Sequence, residues 1–350
     1  VTDKDGKPLA GVNVTVTVNE KPYKTVTGEN GNFTVEADNV VVGLNNVTVV
    51  ASNDEFEADS VEDKFLGNKQ NSNLTVDPVS EVPVGSNATI TGKLTDDEGK
   101  PIANAPVDVF VGDRFKTVIT DNDGNYEAVL PVDEMGEINV TVKYAGNDTY
   151  NPSDNKTKVN VGPISAVINV VMPTNATVNK PVDITGNVTD ENGKPLANVP
   201  VNVTVNGKIY PAVTDSERKF NVTADNVVVG DNPVTVKVVD DEYDAAPVSD
   251  SFTADKQNTN LTVVIPEAKF NENVNITGKL TDDEGKPLAE KPIVVTVDGK
   301  PYQTTTDKDG NYNVEVPVEK VGEIPVKVEF NGDEVYNSSK AEGIMGAGKG

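Results

Sequence analysis

Apolar and polar residues alternate strictly along several short stretches of the chain. In residues 12–18 each valine is separated from the next by Asn or Thr, and residues 138–142 and 201–205 repeat this pattern. A period of two is typical of a β-strand with one buried and one solvent-facing side. Gly, Pro, Asn and Asp separate such stretches every 8–12 residues, which is the turn spacing of an all-β sandwich.

One motif recurs along the whole chain and sets its domain organisation. T-D-x-x-G-K-P opens at Thr2, Thr95, Thr189 and Thr281, so the spacings are 93, 94 and 92 residues. A period of this size is that of one Ig-like domain, and 350 residues accommodate four of them. We predict an all-β tandem array of four Ig-like β-sandwich domains, at residues 1–72, 73–162, 163–259 and 260–350.

The four repeats are of two alternating types. The first and third share A-D-N-V-V-V-G, the second and fourth share P-V-x-x-x-G-E-I, and the two junctions share K-Q-N-x-N-L-T-V. These motifs lie at residues 37–43 and 224–230, at 131–138 and 317–324, and at 69–76 and 256–263. The larger unit is therefore a pair of domains that recurs every 187 residues. Its linkers are short and lack Gly-Ser tracts, which predicts a semi-rigid connection.

Both ends of the chain depart from the repeat. The first repeat starts in what should be its second strand, so we expect an incomplete domain that lacks its first strand. The C-terminal tail, residues 341–350, is poor in strand formers and is predicted to be irregular. The chain begins at Val1 without a signal peptide, as expected for a slice of a longer array. The alternative is a subunit whose open sandwich accepts a strand from a neighbour.

Composition excludes several functions. There are 56 acidic against 30 basic residues, and this net charge of −26 argues against binding nucleic acid or anionic lipid. No apolar run approaches the 20 residues of a membrane span, so direct membrane insertion is not expected. The chain has no His and no Cys, which excludes Ser-His-Asp and Cys-His catalysis and any disulfide. We predict no catalytic residues and no enzymatic activity.

Acidic turns are the candidate metal site. Residues 121–125 and 307–311 place oxygen-bearing side chains at alternate positions, as a calcium loop does. The candidate calcium ligands are Asp121, Asp123, Asp307 and Asp309. The Gly and Glu expected later in such a loop are missing, so the competing interpretation is a hairpin turn with Gly in the left-handed region.

Aromatic residues recur at three repeat positions. They are Phe33, Tyr126, Phe220 and Tyr312; then Tyr23, Phe115, Tyr210 and Tyr302; then Phe56, Tyr150, Tyr243 and Tyr336. Recurrence in every domain indicates a scaffold role such as core filling. The competing interpretation is a carbohydrate platform, which the absence of Trp weakens.

Sequons are unusually frequent. Fifteen of the 40 Asn residues stand in N-x-S/T, where chance gives about five. Part of the excess follows from N-V-T-V strands, in which Asn and Thr both lie on the solvent-facing side. The candidate N-glycosylation sites include Asn13, Asn46, Asn87, Asn139, Asn147, Asn202 and Asn275.

Three groups of motifs give the chain a family resemblance. They are T-D-x-x-G-K-P, T-D-x-x-G-N-Y and G-N-D-x-Y-N-x-S, at residues 95–101, 120–126 and 146–153. The fourth repeat has the first two at 281–287 and 306–312 and keeps only part of the third at 332–338. Together they resemble the Ig-like repeats of prokaryotic surface proteins, and most of all the adhesin-like proteins of methanogenic archaea. The third repeat departs from the pattern, because residues 214–220 lack the turn Gly, which argues against a function placed on this turn in every repeat.

The resemblance implies a non-catalytic, extracellular stalk that mediates attachment to an extracellular protein or glycan. Two other functions stay open. One is a structural filament or surface-layer subunit that assembles by β-strand complementation at the first domain. The other is a carbohydrate-binding accessory module.

Overall fold

The computed structural model describes all 350 residues and consists of 29 β-strands in seven sheets, joined by turns and loops. The architecture is the predicted all-β tandem array of Ig-like domains, of which the second, third and fourth are two-sheet β-sandwiches. By backbone contacts the chain divides into two compact units, Val1–Gly162 and Pro163–Gly350, and each unit contains one pair of domains. Nowhere does the structure contain a helix with the length and apolar character that crossing a membrane requires.

The first domain consists of a single four-stranded sheet with the order β2-β1-β3-β4. Its strands are β1 Asn13–Val18, β2 Lys21–Val26, β3 Gly43–Ser52 and β4 Val61–Gly67. The valines of β1 are buried and its Asn and Thr residues face outward, as the alternation predicts.

The second domain is a sandwich of a three-stranded and a five-stranded sheet. Its strands are β5 Ser72–Leu74, β6 Val82–Pro83, β7 Asn87–Asp96, β8 Pro106–Val111, β9 Arg114–Ile119, β10 Asn125–Pro131, β11 Gly136–Tyr144 and β12 Ser153–Gly162. The sheet orders are β10-β7-β5 and β6-β12-β11-β8-β9. The two sheets bury alternate residues of β7, β8 and β10 between them.

The third domain has the same plan with four and five strands. They are β13 Ile164–Val171, β14 Ala176–Thr177, β15 Val182–Asp190, β16 Pro200–Val205, β17 Lys208–Val213, β18 Phe220–Ala224, β19 Gly230–Val238, β20 Tyr243–Ala245 and β21 Val248–Asp255. The orders are β18-β15-β13-β20 and β14-β21-β19-β16-β17. One contiguous core lies between the sheets and includes Ile184, Val203 and Phe220.

The fourth domain repeats the second. Its strands are β22 Thr259–Leu261, β23 Ala268–Lys269, β24 Asn273–Asp282, β25 Pro292–Val297, β26 Lys300–Thr305, β27 Asn311–Pro317, β28 Gly322–Phe330 and β29 Ser339–Gly348, in sheets β22-β24-β27 and β23-β29-β28-β25-β26. The predicted irregular tail is wrong, because β29 pairs with β28 from Ser339 to Ala347. Backbone pairing and the burial of Met345 and Ala347 override the weak strand propensity of this segment.

The first domain lacks more than the one strand that the sequence indicated. Residues 1–72 form no second sheet, because the positions equivalent to β13 and to most of β15 would precede Val1; side chains such as Leu9, Phe33 and Val35 pack over the buried valines of β1 instead. Phe65 is consequently 39% exposed, whereas its counterpart Phe252 is 5% exposed. Residues 33–37 match β18 in sequence but form no strand; in the third domain β18 pairs with β15, whose equivalent positions would mostly precede Val1.

The domain boundaries differ slightly from the predicted ones. Strand β5 begins at Ser72 and strand β22 at Thr259, and each of these residues was assigned to the preceding domain. The preceding glutamines, Gln70 and Gln257, already form backbone bridges with the following domain, to Tyr150 and Tyr336. The K-Q-N-x-N-L-T-V motif therefore belongs to the domain that follows it.

Candidate functional site

The connection between the third and fourth domains is a built polar site. We call it the 3–4 junction and define it as Asn179, Lys180, Gln257, Asp283 and Tyr336. Strand β14 pairs in parallel with β21, the last strand of the third domain. The loop that follows β14 holds Asn179 and Lys180. Asn179 adopts a positive φ of 66°, which Asn tolerates better than most residues, and this conformation turns the loop back toward the β15 strand.

Gln257 is the centre of the 3–4 junction. Its side chain is 1% exposed, and both ends of its amide are paired. Nε2 donates to Oδ1 of Asp283 at 2.8 Å, and Oε1 accepts from Nδ2 of Asn179 at 3.1 Å. Its backbone N–H donates to the carbonyl of Val335 at 3.0 Å, and its carbonyl accepts from the N–H of Asn337 at 2.9 Å. A buried polar network with every member satisfied holds a single arrangement.

An ion pair closes the same junction across the two domains. Nζ of Lys180 lies 2.8 Å from Oδ2 of Asp283, and both side chains are about one-third exposed. The hydrogen bonds that Asp283 receives from Lys180 and then from Gln257 hold the pKa of its carboxyl below the usual value, while the same contact raises the pKa of Lys180. The ion pair and the amide network therefore share one carboxylate.

In the first pair of domains, the contacts of the glutamine with the following domain recur. The side chain of Gln70 donates to Asp97, the counterpart of Asp283, and its backbone bonds with Thr149 and Asn151 repeat those of Gln257. Gln70 is only half-buried, and the positions equivalent to Asn179 and Lys180 would precede Val1. The shared K-Q-N motif thus marks how the domains of each pair are joined. The network that includes Asn179 and Lys180 is seen in the second pair.

A second network explains the A-D-N-V-V-V-G motif of the first and third domains. Asn232 is fully buried; its Oδ1 accepts from Asn206 Nδ2 at 2.7 Å and from the N–H of Val228 at 2.8 Å, and its Nδ2 donates to the carbonyls of Val228 and Gly230 at 2.9 and 3.0 Å. Asn45 makes the equivalent four bonds in the first domain. The motif is therefore a loop held by a buried amide.

The same loops carry an exposed cluster beside the buried amide. Asp225 accepts hydrogen bonds from Lys208 at 3.1 Å and from Tyr210 at 2.9 Å, and Asp38 is held likewise by Lys21 and Tyr23 in the first domain. These hydrogen bonds lower the pKa of both carboxyl groups, and the bond from lysine has the larger effect. The lysine and aspartate side chains of the cluster are largely exposed, so their ion pairs orient side chains more than they stabilise the fold.

The acidic turns are tight turns but not the hairpin turns of the competing interpretation, because each joins strands of opposite sheets, β9 to β10 and β26 to β27. Oδ1 of Asp121 accepts the backbone N–H groups of Asp123 and Asn125, both at 2.9 Å, and Asp307 does the same with Asp309 and Asn311. Gly124 and Gly310 have positive φ, as such turns require. No cluster of three or more Asp or Glu side chains is arranged to hold a metal ion. Calcium at Asp121, Asp123, Asp307 and Asp309 stays a prediction.

Most candidate glycosylation sites have accessible side chains. Asn13, Asn46, Asn87, Asn139, Asn147 and Asn275 are exposed, and Asn202 is half-buried on the outward side of β16. Oδ1 of Asn147 accepts the N–H groups of Thr149 and Tyr150, which leaves its Nδ2, the atom that a glycan would modify, without a protein partner in the turn. Occupancy stays a prediction.

The first and third aromatic positions have scaffold contacts. Tyr126 and Tyr312 are buried across Gly92 and Gly278, and their hydroxyl groups donate to the carbonyls of Thr75 and Thr262 at 2.6 Å. Burial raises the pKa of both tyrosines. At the third position, Tyr336 lies in the 3–4 junction.

The second aromatic position contains one misassigned residue. Tyr210 lies opposite Val203 and Tyr302 opposite Val295, on the inner side of the hairpin, but Phe115 lies opposite Phe110. Its place in the other hairpins is that of Ile209 or Pro301, one residue earlier, and a shift of one residue moves a side chain to the other face of a strand. Counting from the two-residue turn at 112–113 reveals this shift in the sequence.

Comparisons with known proteins agree with the fold. Residues 89–173 match the family model described as "Carboxypeptidase regulatory-like domain", which is less than half of the chain. The inverse autotransporter adhesin YeeJ of Escherichia coli (strain K12) is 25% identical over 290 residues, which are 75% of this chain. The chain is similar to a bacterial adhesin. It spans only 12% of the length of that relative.

Solved structures of adhesion proteins resemble the chain at low sequence identity. Invasin, described as a bacterial integrin-binding protein, is 24% identical, with 99% of this chain and 74% of that chain covered and a TM-score of 0.40. A tetra-tandem repeat from the extending region of a large adhesion protein is 18% identical, with coverages of 97% and 92% and a TM-score of 0.38. Similarity to adhesin repeats rests on the curated bacterial relative, and the resemblance to archaeal proteins in particular stays a prediction.

Proposed function

We propose that this chain is a non-catalytic, extracellular stalk segment of a cell-surface adhesin. The observation that carries the proposal is the 3–4 junction, where a buried glutamine and an ion pair join two independently cored domains. Similarity to adhesin repeats supports the same function. The segment serves attachment to an extracellular protein or glycan by holding its domains at fixed angles within each pair.

The mechanism is mechanical. The third and fourth domains each have their own hydrophobic core, so each can bear load as a separate folded link. The 3–4 junction restricts rotation between these two links, because bending would break the bonds of Gln257 and leave its amide buried without partners. The acidic surface opposes lateral association through like-charge repulsion.

Double replacement of Gln257 and Lys180 with alanine is expected to free the fourth domain from the third. The chain has no Cys, so cysteines introduced by E191C and K308C would be the only labelling sites for spin labels. Both positions are exposed. Pulsed electron resonance on the full chain should give one narrow distance distribution in the parent and a broad one in the double variant. The matched control is Lys208→Ala, which removes an ion pair inside the third domain and should leave the distribution narrow.

The same measurement has a defined pH dependence. The pKa of Asp283 is lowered in the folded chain, so its contribution is present above its unfolded pKa of about 3.9 and is lost as the pH falls through the lowered value. The parent distribution should therefore be narrow at neutral pH and broaden below about pH 4. A parent distribution that is already broad at neutral pH contradicts the stalk mechanism.

A second candidate function is a structural subunit that assembles by strand complementation. It is favoured by the part of the first domain around β4, where Phe65 is exposed although its counterpart Phe252 is buried; the β1 part of the same sheet is packed against residues 33–37. The strands that fit this face are of the β13 and β15 type, because these strands cover Phe220 and Phe252. In this proposal they come from another copy of the chain.

Light scattering on the 350-residue chain tests this second candidate. The average mass is expected to rise with protein concentration, and a peptide with the sequence of residues 164–190 is expected to suppress the rise by occupying the face first. A scrambled peptide of the same composition is the control. A constant monomer mass, together with no effect of the peptide on hydrogen exchange in β1 to β4, would exclude strand complementation.

A further inference from the structure

The outer face of the second domain carries a feature that the other domains lack. Phe110 on β8 and Phe115 on β9 stack with their ring centroids 5.5 Å apart and an interplanar angle of 27°. Both side chains point away from the core, and Phe115 is 64% exposed. We define the outer-face patch as Phe110 and Phe115 with their neighbours Asp108, Thr117 and Lys143.

The aromatic pair has no counterpart in the other hairpins, although their register is the same. Phe110 is replaced there by Thr17, Thr204 and Thr296, and Phe115 by Pro22, Ile209 and Pro301. Three domains thus form the same hairpin without these rings. Folding accordingly does not require the pair, and an exposed apolar patch is a feature of interaction and ligand sites.

Polar groups suited to hydroxyl recognition surround the rings. The Thr117 hydroxyl donates to Oδ1 of Asp108 at 2.6 Å, which leaves the second carboxylate oxygen free to accept. Nζ of Lys143 lies 5.5 Å from the centroid of Phe110 and provides donors at the same edge. Flat aromatic surface beside an acceptor and a donor is the chemistry that binds a pyranose ring, whose C–H face is apolar and whose edge carries hydroxyl groups.

The charge of this face favours an uncharged ligand. Its outward side chains on β8, β11 and β12 include three lysines and three acids: Lys143, Lys156, Lys158, Asp108, Glu137 and Asp154. The face is thus balanced, whereas the whole chain carries −26 and repels polyanions. A charged polymer gains nothing from this face, and a second copy of the chain brings its own acidic surface.

We propose that the outer-face patch binds uncharged polysaccharides of hexopyranose units. One sugar ring stacks on the Phe110–Phe115 pair, and its hydroxyl groups bond to Asp108 and Lys143. This ligand site goes beyond the proposed stalk function. The binding assay below and the distance measurement at the 3–4 junction can fail separately, so the two proposals are distinguishable.

Affinity gel electrophoresis of the full chain tests the proposal. The gels contain hydroxyethyl cellulose, galactomannan or dextran as neutral polymers and polygalacturonate as the charged one. We expect retardation by at least one neutral polymer and none by polygalacturonate. The double variant F110T/F115I installs residues found at these positions in the third domain, so it should fold normally and lose at least tenfold in affinity.

Matched variants distinguish ring stacking from nonspecific hydrophobic adsorption. F115I alone keeps an apolar side chain but removes the ring, and it should lose most of the affinity. Ile209→Ala, at the equivalent exposed position of the third domain, should leave binding unchanged. Three results overturn the proposal: no retardation by any neutral polymer, stronger retardation by polygalacturonate, or a dimer of the parent chain that F110T/F115I dissociates.

Discussion

Replacing Gly278 with alanine is expected to destabilise the fourth domain by about 3 kcal/mol or more. Gly278 lies on β24 with an ordinary backbone conformation, so the effect is purely steric. A Cβ atom there would lie far inside van der Waals contact with the carbonyl of Thr262 and with the ring and hydroxyl group of Tyr312. Tyr312 is 2% exposed and bonded to that same carbonyl, so neither neighbour can move without breaking the contact between β22 and β24.

The measurement is calorimetry of the full chain, with hydrogen exchange to assign the affected transition to residues 259–348. Gly346→Ala is the matched control, because a Cβ at Gly346 would meet nothing within 4 Å and its φ is not in the left-handed region. This control should be close to neutral. Equal melting behaviour of the two variants would show that the ring of Tyr312 is free to move away.

The same arrangement recurs, which makes the steric argument general. Gly92 lies beneath Tyr126 in the second domain, and Gly186 lies beneath Phe220 in the third. In the first domain no equivalent of this strand is present, and Phe33 is correspondingly only half-buried. The glycine and the aromatic residue are thus one structural unit, which fixes the short first strand against its neighbour.

Much of the fold could be predicted from alternation and repeat length. Strands such as β1 and β16 show in the structure the buried and exposed sides that their valines and polar residues indicated. Pairing that depends on tertiary contacts could not be predicted. Strand β29 forms from Gly and Ala because β28 offers a complete edge, and its composition gives little indication of this.

The functional features were predictable only in part. The repeated K-Q-N motif marked Gln257, but its partner Asn179 and the Lys180 that shares Asp283 with it come from a loop 77 or 78 residues earlier in the chain, and no local pattern connects them. Phe115 was placed with Tyr210 because both are aromatic, although the register of the hairpin separates them. That error concealed the one exposed aromatic pair in the chain.

The A-D-N-V-V-V-G motif shows the same limit. Its repetition indicated a shared role, and the structure assigns that role to an asparagine outside the motif, Asn232, which lies two residues after its final glycine. Sequence spacing alone does not tell which polar residue of a loop is buried.

Replacing Asn232 with alanine is expected to destabilise the third domain by roughly 3–5 kcal/mol, because four groups lose their partner at once. These are the N–H and carbonyl of Val228, the carbonyl of Gly230 and the side-chain amide of Asn206. Calorimetry of the full chain measures the loss, with Asn221→Ala on the exposed side of β18 as the control.

Asn232→Asp separates the hydrogen bonds from the packing, because aspartate has the same shape as asparagine. Its second oxygen would face the carbonyls of Val228 and Gly230, which repel a carboxylate but accept a hydrogen bond from the protonated acid. The pKa of this introduced group should therefore be raised in the folded state. Stability is then greatest below the unfolded pKa of about 3.9 and falls as the pH rises through the raised value, opposite in direction to Asp283. A melting temperature of Asn232→Asp that follows the parent from pH 4 to pH 7 would show that the loop is held by its shape and not by the amide.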